Sequence, residues 1–173
     1  AGIGGGDKGA GGTITINGGN VTAVGGEHGA GIGGGDGGAG GTIQINGGTV
    51  TATGGNDGGA GIGGGRNGAA GTFAATGDVF IIASSISDNG EDEKANWSGV
   101  IFEGDDGQVY GAPTLKTVKT IPSGKRLEIP AGKTLTIDNN VTLTNNGVIG
   151  VYGTISGSLT NNGTIMVGPD GKI

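Results

Sequence analysis

Aromatic and acidic residues lie close together in one short part of the chain, between residues 91 and 110. Aromatic rings have apolar faces and carboxylates accept hydrogen bonds, so the two together are typical of a site that binds sugar rings. Carboxylates are also the hard oxygen ligands that calcium prefers, and a bound calcium would bridge to uronate carboxylates. The predicted ligand-binding residues are Trp97, Tyr110, Phe102 and Glu103. The predicted metal ligands are Asp92, Glu93, Asp105 and Asp106.

Two simpler interpretations of this stretch stay open. The three aromatic residues would form a small satellite core where a hairpin folds over the rest of the chain. The acidic residues would be ordinary solvated surface charge. Either interpretation would remove the binding site without changing the expected fold.

The sequence offers no comparable set of residues for catalysis. His28 is the single histidine; it falls at an expected corner, where a solvated side chain is usual, and no Ser/His/Asp set can be built around it. Gly4, Gly6 and Gly9 formally match a dinucleotide fingerprint, but that motif needs a following helix. No carboxylate spacing supports glycoside hydrolysis. We therefore predict no catalytic residues, no enzyme activity, and no cofactor apart from calcium at the acidic residues.

Composition narrows the class of protein. The 173 residues carry a net charge of −6, which argues against nucleic acid or an anionic membrane surface as the partner. Cysteine is absent, which excludes disulfides and cysteine-based metal sites. No run of 18 apolar residues occurs, so no membrane insertion is expected. No signal peptide is visible, and we interpret the chain as a mature fragment.

Residues 1–90 contain a glycine-rich repeat. The hexapeptide AGIGGG begins each unit, at Ala1, Ala30 and Ala60. Each unit holds three short segments in which apolar residues alternate with Thr, Gln or Gly, the period of a strand with one buried face. Three strands in each unit predict a three-sided, right-handed parallel β-helix with equivalent residues stacked about 4.8 Å apart. The glycines would form its corners, since glycine tolerates positive φ.

Residues 114–173 repeat with a different period. Apolar residues recur every eight residues from Leu127 to Val167, which fits one strand and one corner. A coil made of three such segments would place Leu127 on Val151. The TNNG segments at 144–147 and 160–163 instead favour a coil made of two segments, which would place Leu127 on Leu143. Both alternatives are narrower β-solenoids.

Residues 91–113 break both periods. The segments GVIF and QVY flank EGDDG, a pattern typical of a β-hairpin with a tight turn. We expect an acidic hairpin or loop inserted between the two sets of coils. The whole chain is then all-β, with almost no helix.

The repeats resemble a known type of protein. The units GIGGG…GTITINGG…VTA resemble glycine-rich repeats of secreted and surface-anchored proteins of Firmicutes, and IPAGKTLTI followed by VTLTNNG resembles β-helix segments of bacterial adhesins. The general type is similar to pectate-lyase-like right-handed β-helices, including a polysaccharide-binding domain. The resemblance implies an extracellular or cell-surface location, contact with cell-wall or plant polysaccharide, and calcium.

The function that best fits these features is a non-enzymatic structural or adhesive module of a bacterial secreted or cell-surface protein. An acidic-polysaccharide-binding module, assisted by calcium, is the alternative, and a polysaccharide-active enzyme is the second alternative. The backbone groups along an open end of a solenoid would be unpaired, so end-to-end self-association is expected as well.

Overall fold

The computed structural model describes residues 1–88 and 91–173, with side chains for all of these except residues 91–93. Within them the fold consists of twenty β-strands and one 3₁₀-helix, Glu91–Asn96. The all-β class that the repeats predicted is confirmed. Among the described residues there is no helix with the length and apolar character of a membrane span.

Each of the three glycine-rich units forms one coil with three strands. Equivalent strands pair in parallel, so that Ile14 lies on Ile43 and Ile43 lies on Phe73, the internal stack that the repeat predicted. The three units, up to the end of their last strand at Ala83, therefore form a three-sided parallel β-helix. Its strands are β1 (Ile3–Gly4), β2 (Thr13–Ile16), β3 (Asn20–Val24), β4 (Ile32–Gly33), β5 (Thr42–Ile45), β6 (Gly48–Thr53), β7 (Ile62–Gly63), β8 (Thr72–Ala75) and β9 (Val79–Ala83).

Glycine is required where these coils touch. Gly35 lies directly over Gly6, and a Cβ on Gly35 would overlap the backbone carbonyl of Gly6. Gly65 has the same relation to Gly35. Stacked corners of this kind bring backbone against backbone, so no side chain fits between them. The repeated hexapeptide is thus a packing requirement of successive coils.

The hairpin consists of β10 (Gly99–Glu103) and β11 (Asp106–Tyr110). Its two-residue turn has positive φ at Gly104 and not at Asp105, as a type II′ turn requires. The expectation that it is an excursion folded over the coils is wrong. β9 pairs in parallel with β10, and β11 pairs in parallel with the first strand of the next coil, so the hairpin lies inside a continuous sheet.

The second half is also three-sided. Neither predicted stack for Leu127 occurs, because Leu127 pairs with Ile149. Register partners come closer together in sequence along the chain, since Lys119 pairs with Leu143 whereas Val148 pairs with Thr164. The strands are β12 (Thr114–Leu115), β13 (Lys119–Ile121), β14 (Arg126–Ile129), β15 (Thr134–Ile137), β16 (Thr142–Asn145), β17 (Val148–Val151), β18 (Thr154–Ser156), β19 (Ser158–Asn161) and β20 (Thr164–Val167).

One eight-stranded sheet joins the two halves, in the order β3, β6, β9, β10, β11, β14, β17, β20. We call it the shared sheet. Ile81 and Ile101 face the core of the first three coils, whereas their neighbours Phe80 and Phe102 face the core of the second half. The two hydrophobic cores therefore cover opposite faces of the shared sheet.

This change of face has a geometric consequence. Strand direction in the shared sheet reverses at the hairpin, because β10 and β11 are antiparallel. The face covered by the core reverses at the same place. A rotation by 180° about the solenoid axis reverses both the strand direction and the covered face, and it leaves the handedness of the coils unchanged. The two halves therefore wind in the same sense and lie on opposite sides of one sheet.

Candidate functional site

The change of face leaves a step where the first core ends and the shared sheet continues. Ile86 and Trp97, which pack against the first core, form one wall of this step, and the outward face of β11 and β14 forms the other. The hollow between them has a volume of about 410 Å³, within the range of small-molecule sites. We call it the carboxylate notch, defined by the side chains of Glu103, Asp106, Gln108, Tyr110, Arg126 and Glu128.

Strand alternation aims these side chains into the notch. On β11, Asp106, Gln108 and Tyr110 alternate with Gly107 and Val109, and Val109 is buried in the second core. On β14, Arg126 and Glu128 alternate with Leu127 and Ile129 of that same core. Asp106 is the register partner of Arg126, and Gln108 is the partner of Glu128. The notch is thus the polar face of strands whose other face is core.

The structure corrects the expected role of two aromatic residues. Trp97 lines the notch but is only 4% exposed, with its ring centroid 4.9 Å from Phe73 and 5.3 Å from Tyr110. Phe102 is fully buried on the opposite face of the sheet, 5.9 Å from Phe80. Neither ring offers a free face to a sugar. They do not form a satellite core either, because each belongs to one of the two main cores.

Tyr110 and Glu103 do lie in the notch, at its wall. Burial, and then the charge of Glu103, raise the pKa of the Tyr110 phenol, so the hydroxyl stays protonated and can donate a hydrogen bond. One carboxylate oxygen of Glu103 accepts the backbone N–H of Ile86 at 3.0 Å. The side chain is otherwise exposed. These two residues therefore present a phenol donor and a carboxylate acceptor.

Of the four predicted calcium ligands, Asp105 and Asp106 have described side chains, and these two face different surroundings. Asp105 lies on the hairpin turn and pairs with Lys125, whose Nζ is 2.9 Å from its Oδ1. Asp106 lies in the notch. The side chains of Asp92 and Glu93 lie outside the described residues. Over the described side chains, no three carboxylate or histidine groups gather closely enough to hold a metal ion by themselves, and calcium binding stays a prediction.

Sequence reasoning missed Arg126, Gln108 and Glu128 as notch residues. Their signal was present in the alternation of RLEI and DGQVY, which sends one polar set outward. Among the described residues Arg126 makes no ion pair, so its guanidinium is available for a ligand. A guanidinium of this kind binds carboxylates through two parallel hydrogen bonds.

A charged cluster that the sequence did not reveal lies at a corner of the first three coils. Arg66 bridges two carboxylates, with Nη2 2.9 Å from Asp36 and Nη1 2.9 Å from Asp57. His28 contacts the same pair, with Nε2 3.1 Å from Asp57 and Nδ1 3.6 Å from Asp36. The expectation that His28 is merely solvated is wrong. These four side chains engage one another and link successive coils.

The repeats and the fold define the class of protein. A family model described as a beta helix repeat matches residues 14–36 and 43–66, which lie in the first three coils. The fold is a β-solenoid built from two sets of coils, and the matched repeats lie in the first set. Neither the curated proteins nor the solved structures give a significant match to it.

Proposed function

We propose that this chain is a non-enzymatic structural or adhesive module of a bacterial secreted or cell-surface protein. The observation that supports this function is the shared sheet, whose parallel and antiparallel pairing continues without a break from β3 to β20. Each strand is held by the backbone hydrogen bonds of its neighbours, and the core side chains stack along the same axis. Such a body holds its two ends at a fixed separation, as a spacer requires.

The test combines shape and chemistry. Small-angle X-ray scattering of the purified chain should give the profile of a rigid, elongated particle. Incubation with pectin, xylan and peptidoglycan should release no reducing ends and no unsaturated products. Product release above that of heat-denatured protein would overturn the non-enzymatic function. A scattering profile typical of a flexible chain would overturn the spacer.

A second candidate function, acidic-polysaccharide binding, is supported by the carboxylate notch. It places the unpaired guanidinium of Arg126 beside a phenol donor and the carboxylates of Glu103, Asp106 and Glu128. Because the carboxylates outnumber the guanidinium, a uronate would bind there more strongly when a calcium ion, held jointly by these carboxylates and the uronate, offsets their repulsion. The exposed edge of Tyr110, and not the ring of Trp97, would contact the sugar.

Calorimetry with an oligogalacturonate, with and without calcium, tests this candidate. Arg126→Gln should weaken binding at least about tenfold, the loss expected for a charged hydrogen bond. Arg66→Gln is the matched control, because Arg66 is the other arginine and lies at a distant corner. Absence of binding in both conditions, or equal loss in both variants, would exclude the notch.

A further inference from the structure

The opposite side of the shared sheet carries a second step, where the first coil of the second half overhangs the outward face of β6 and β9. Two adjoining hollows lie there, with volumes of about 640 and 400 Å³, and Asn20, Thr49 and Lys119 line both of them. Volumes of this size fall within the range of small-molecule sites. We call the combined hollow the lysine notch. It does not include any residue of the carboxylate notch.

Lys119 is the distinctive group of this notch. Its Nζ donates a hydrogen bond to the hydroxyl of Thr49 and lies 5.8 Å from the ring centroid of Phe80. Among the described residues no carboxylate pairs with it, whereas the nearby Lys116 pairs with Asp78 at 2.5 Å. Burial lowers the pKa of Lys119. A half-buried ammonium group without a counter-charge is costly, and an anion bound beside it would offset that cost.

The remaining polar lining is neutral. Asn20, Asn46 and Thr117 offer amide and hydroxyl groups, and the backbone of Gly47 and Gly48 is part of the surface. The two oxygens of Asp78 are already engaged, one by Lys116 and the other by the backbone N–H of Thr114. A ligand that matches this lining carries several hydroxyl groups and one negative charge. That combination is the chemistry of a uronate sugar.

We propose that the lysine notch binds a uronate unit of an acidic polysaccharide, with the sugar carboxylate on Lys119 and the sugar hydroxyls on the asparagine and threonine side chains. This site shares its ligand class with the second proposed function but neither its residues nor any need for calcium. Binding here is a direct contact between ammonium and carboxylate. It should therefore persist in a chelator and weaken as salt concentration rises.

Calorimetry with trigalacturonate in EDTA, at low and at physiological salt, tests the proposal. We expect binding by the unmodified chain and at least about a tenfold loss in Lys119→Met, which keeps the apolar stem and removes the charge. Lys119→Arg should retain most of the affinity. Lys172→Met is the matched control, because Lys172 is exposed and lies outside both notches. Far-UV circular dichroism verifies that each variant is folded.

Four outcomes would overturn the proposal. They are absence of trigalacturonate binding in EDTA, equal loss in Lys172→Met, equal affinity for the neutral oligomer cellotriose, and equal affinity for a short poly-L-glutamate. Binding that appears only with calcium and depends on Arg126 would support the carboxylate notch alone. If Arg126→Gln loses binding and Lys119→Met keeps it, this proposal fails while the acidic-polysaccharide-binding function stands.

Discussion

Asn145 is a buried polar residue at a corner of the second half, and its side chain makes three hydrogen bonds. Nδ2 donates to Asn161 Oδ1 at 2.7 Å and to the carbonyl of Thr164 at 3.1 Å, and Oδ1 accepts from the backbone of Gly147 at 3.0 Å. Such a ladder of amides satisfies backbone groups that would otherwise be buried without partners. It explains why TNNG repeats where Asn145 and Asn161 are register partners in successive coils.

Asn145→Ala should therefore lower the free energy of unfolding by about 2–3 kcal/mol, because buried backbone groups lose their partners. Asn146→Ala is the control. Asn146 is exposed, and its Oδ1 accepts a hydrogen bond from Asn162 Nδ2 at 3.0 Å. The variant should therefore lose under about 1 kcal/mol of unfolding free energy. Urea denaturation of both variants measures the difference. Equal losses would show that the ladder does not depend on burial.

The corner cluster predicts a dependence of stability on pH. The hydrogen bond from Arg66, together with the charges of Arg66 and His28, lowers the pKa of Asp36 despite partial desolvation. A lowered folded-state pKa contributes stability above the unfolded value of about 4, and that stability is lost as pH falls through the folded value. Asp57 contacts the same Arg66 and His28 side chains.

Arg66→Gln should therefore lower the thermal midpoint at pH 7, and the gap to the unmodified chain should close at an acid pH where Asp36 is protonated in the folded chain. Thermal unfolding followed by circular dichroism at both pH values measures the gap. A gap that stays constant between them would show that Arg66 acts through packing and not through the Asp36 carboxylate.

The site illustrates what single residues reveal in a sequence. Tyr110, Glu103 and Asp106 could be placed at one site because they lie within eight positions of one another. Arg126 could not, since its place beside Asp106 depends on the register of β11 and β14, which no local pattern encodes. The burial of Trp97 could not be predicted from local sequence either, because it depends on contact with Phe73 in an earlier coil.

At the scale of the element, glycines at the same repeat position differ in what a Cβ added to them would meet. A Cβ on Gly35 would overlap the backbone of Gly6, whereas a Cβ on Gly6 meets no atom within 4 Å. Gly35→Ala should destabilise the chain by more than about 3 kcal/mol, because backbone cannot move aside as a side chain can.

Gly6→Ala is the matched control, since it has the same repeat position and the same substitution. We expect a change in free energy of unfolding within about 0.5 kcal/mol, as for a surface change. Urea denaturation compares the two variants. Similar destabilisation by both would mean that glycine is needed at this corner for its own backbone conformation and not for contact between coils.

Element lengths in the second half show why an eight-residue period was not enough. Each position of the period from Leu127 to Val167 lies in a strand, but β18 falls between two of these positions. Corners also vary in length, from four residues between β13 and β14 to one between β18 and β19. That single residue, Gly157, has a φ of 114°, which permits an abrupt corner. Coil length is the sum of such corners, so the apolar period alone does not determine it.

At the scale of the whole molecule, we did not predict from the sequence that the two cores cover opposite faces of one sheet. The sequence nevertheless contains a signal for this arrangement. Strands covered on one face alternate apolar and polar residues, whereas strands covered on both faces are apolar throughout. VFII at 79–82 and GVIF at 99–102 are of the second kind. These segments occur where the two cores meet across the shared sheet.

The equivalence of the first units predicts that one can be removed. Deleting residues 30–59 joins Gly29 to Ala60 and keeps the AGIGGG motif at the junction. Ile3, Thr13 and Val21 of unit one would then pair with the residues of unit three that now pair with unit two. The variant should fold and become shorter by about 4.8 Å, one strand spacing.

Small-angle scattering measures the length of the deletion variant, and circular dichroism verifies its strands. The carboxylate notch should keep any ligand affinity it has, because none of its lining residues is removed. The lysine notch should bind more weakly, because Asn20 takes the place of Thr49 and its own place in the lining is vacated. Failure to fold would show that unit two is not interchangeable with its neighbours.

The carboxylate notch is lined by the hairpin, by β14, and by Ile86 and Trp97. The first two coils contribute no residue to it. The number of glycine-rich units and the lining of the carboxylate notch are therefore set by different parts of the chain. Duplication or loss of a glycine-rich unit alters how far the notch stands from whatever precedes it, while the chemistry inside stays the same. The number of units can thus vary without altering the carboxylates and the guanidinium that line this notch.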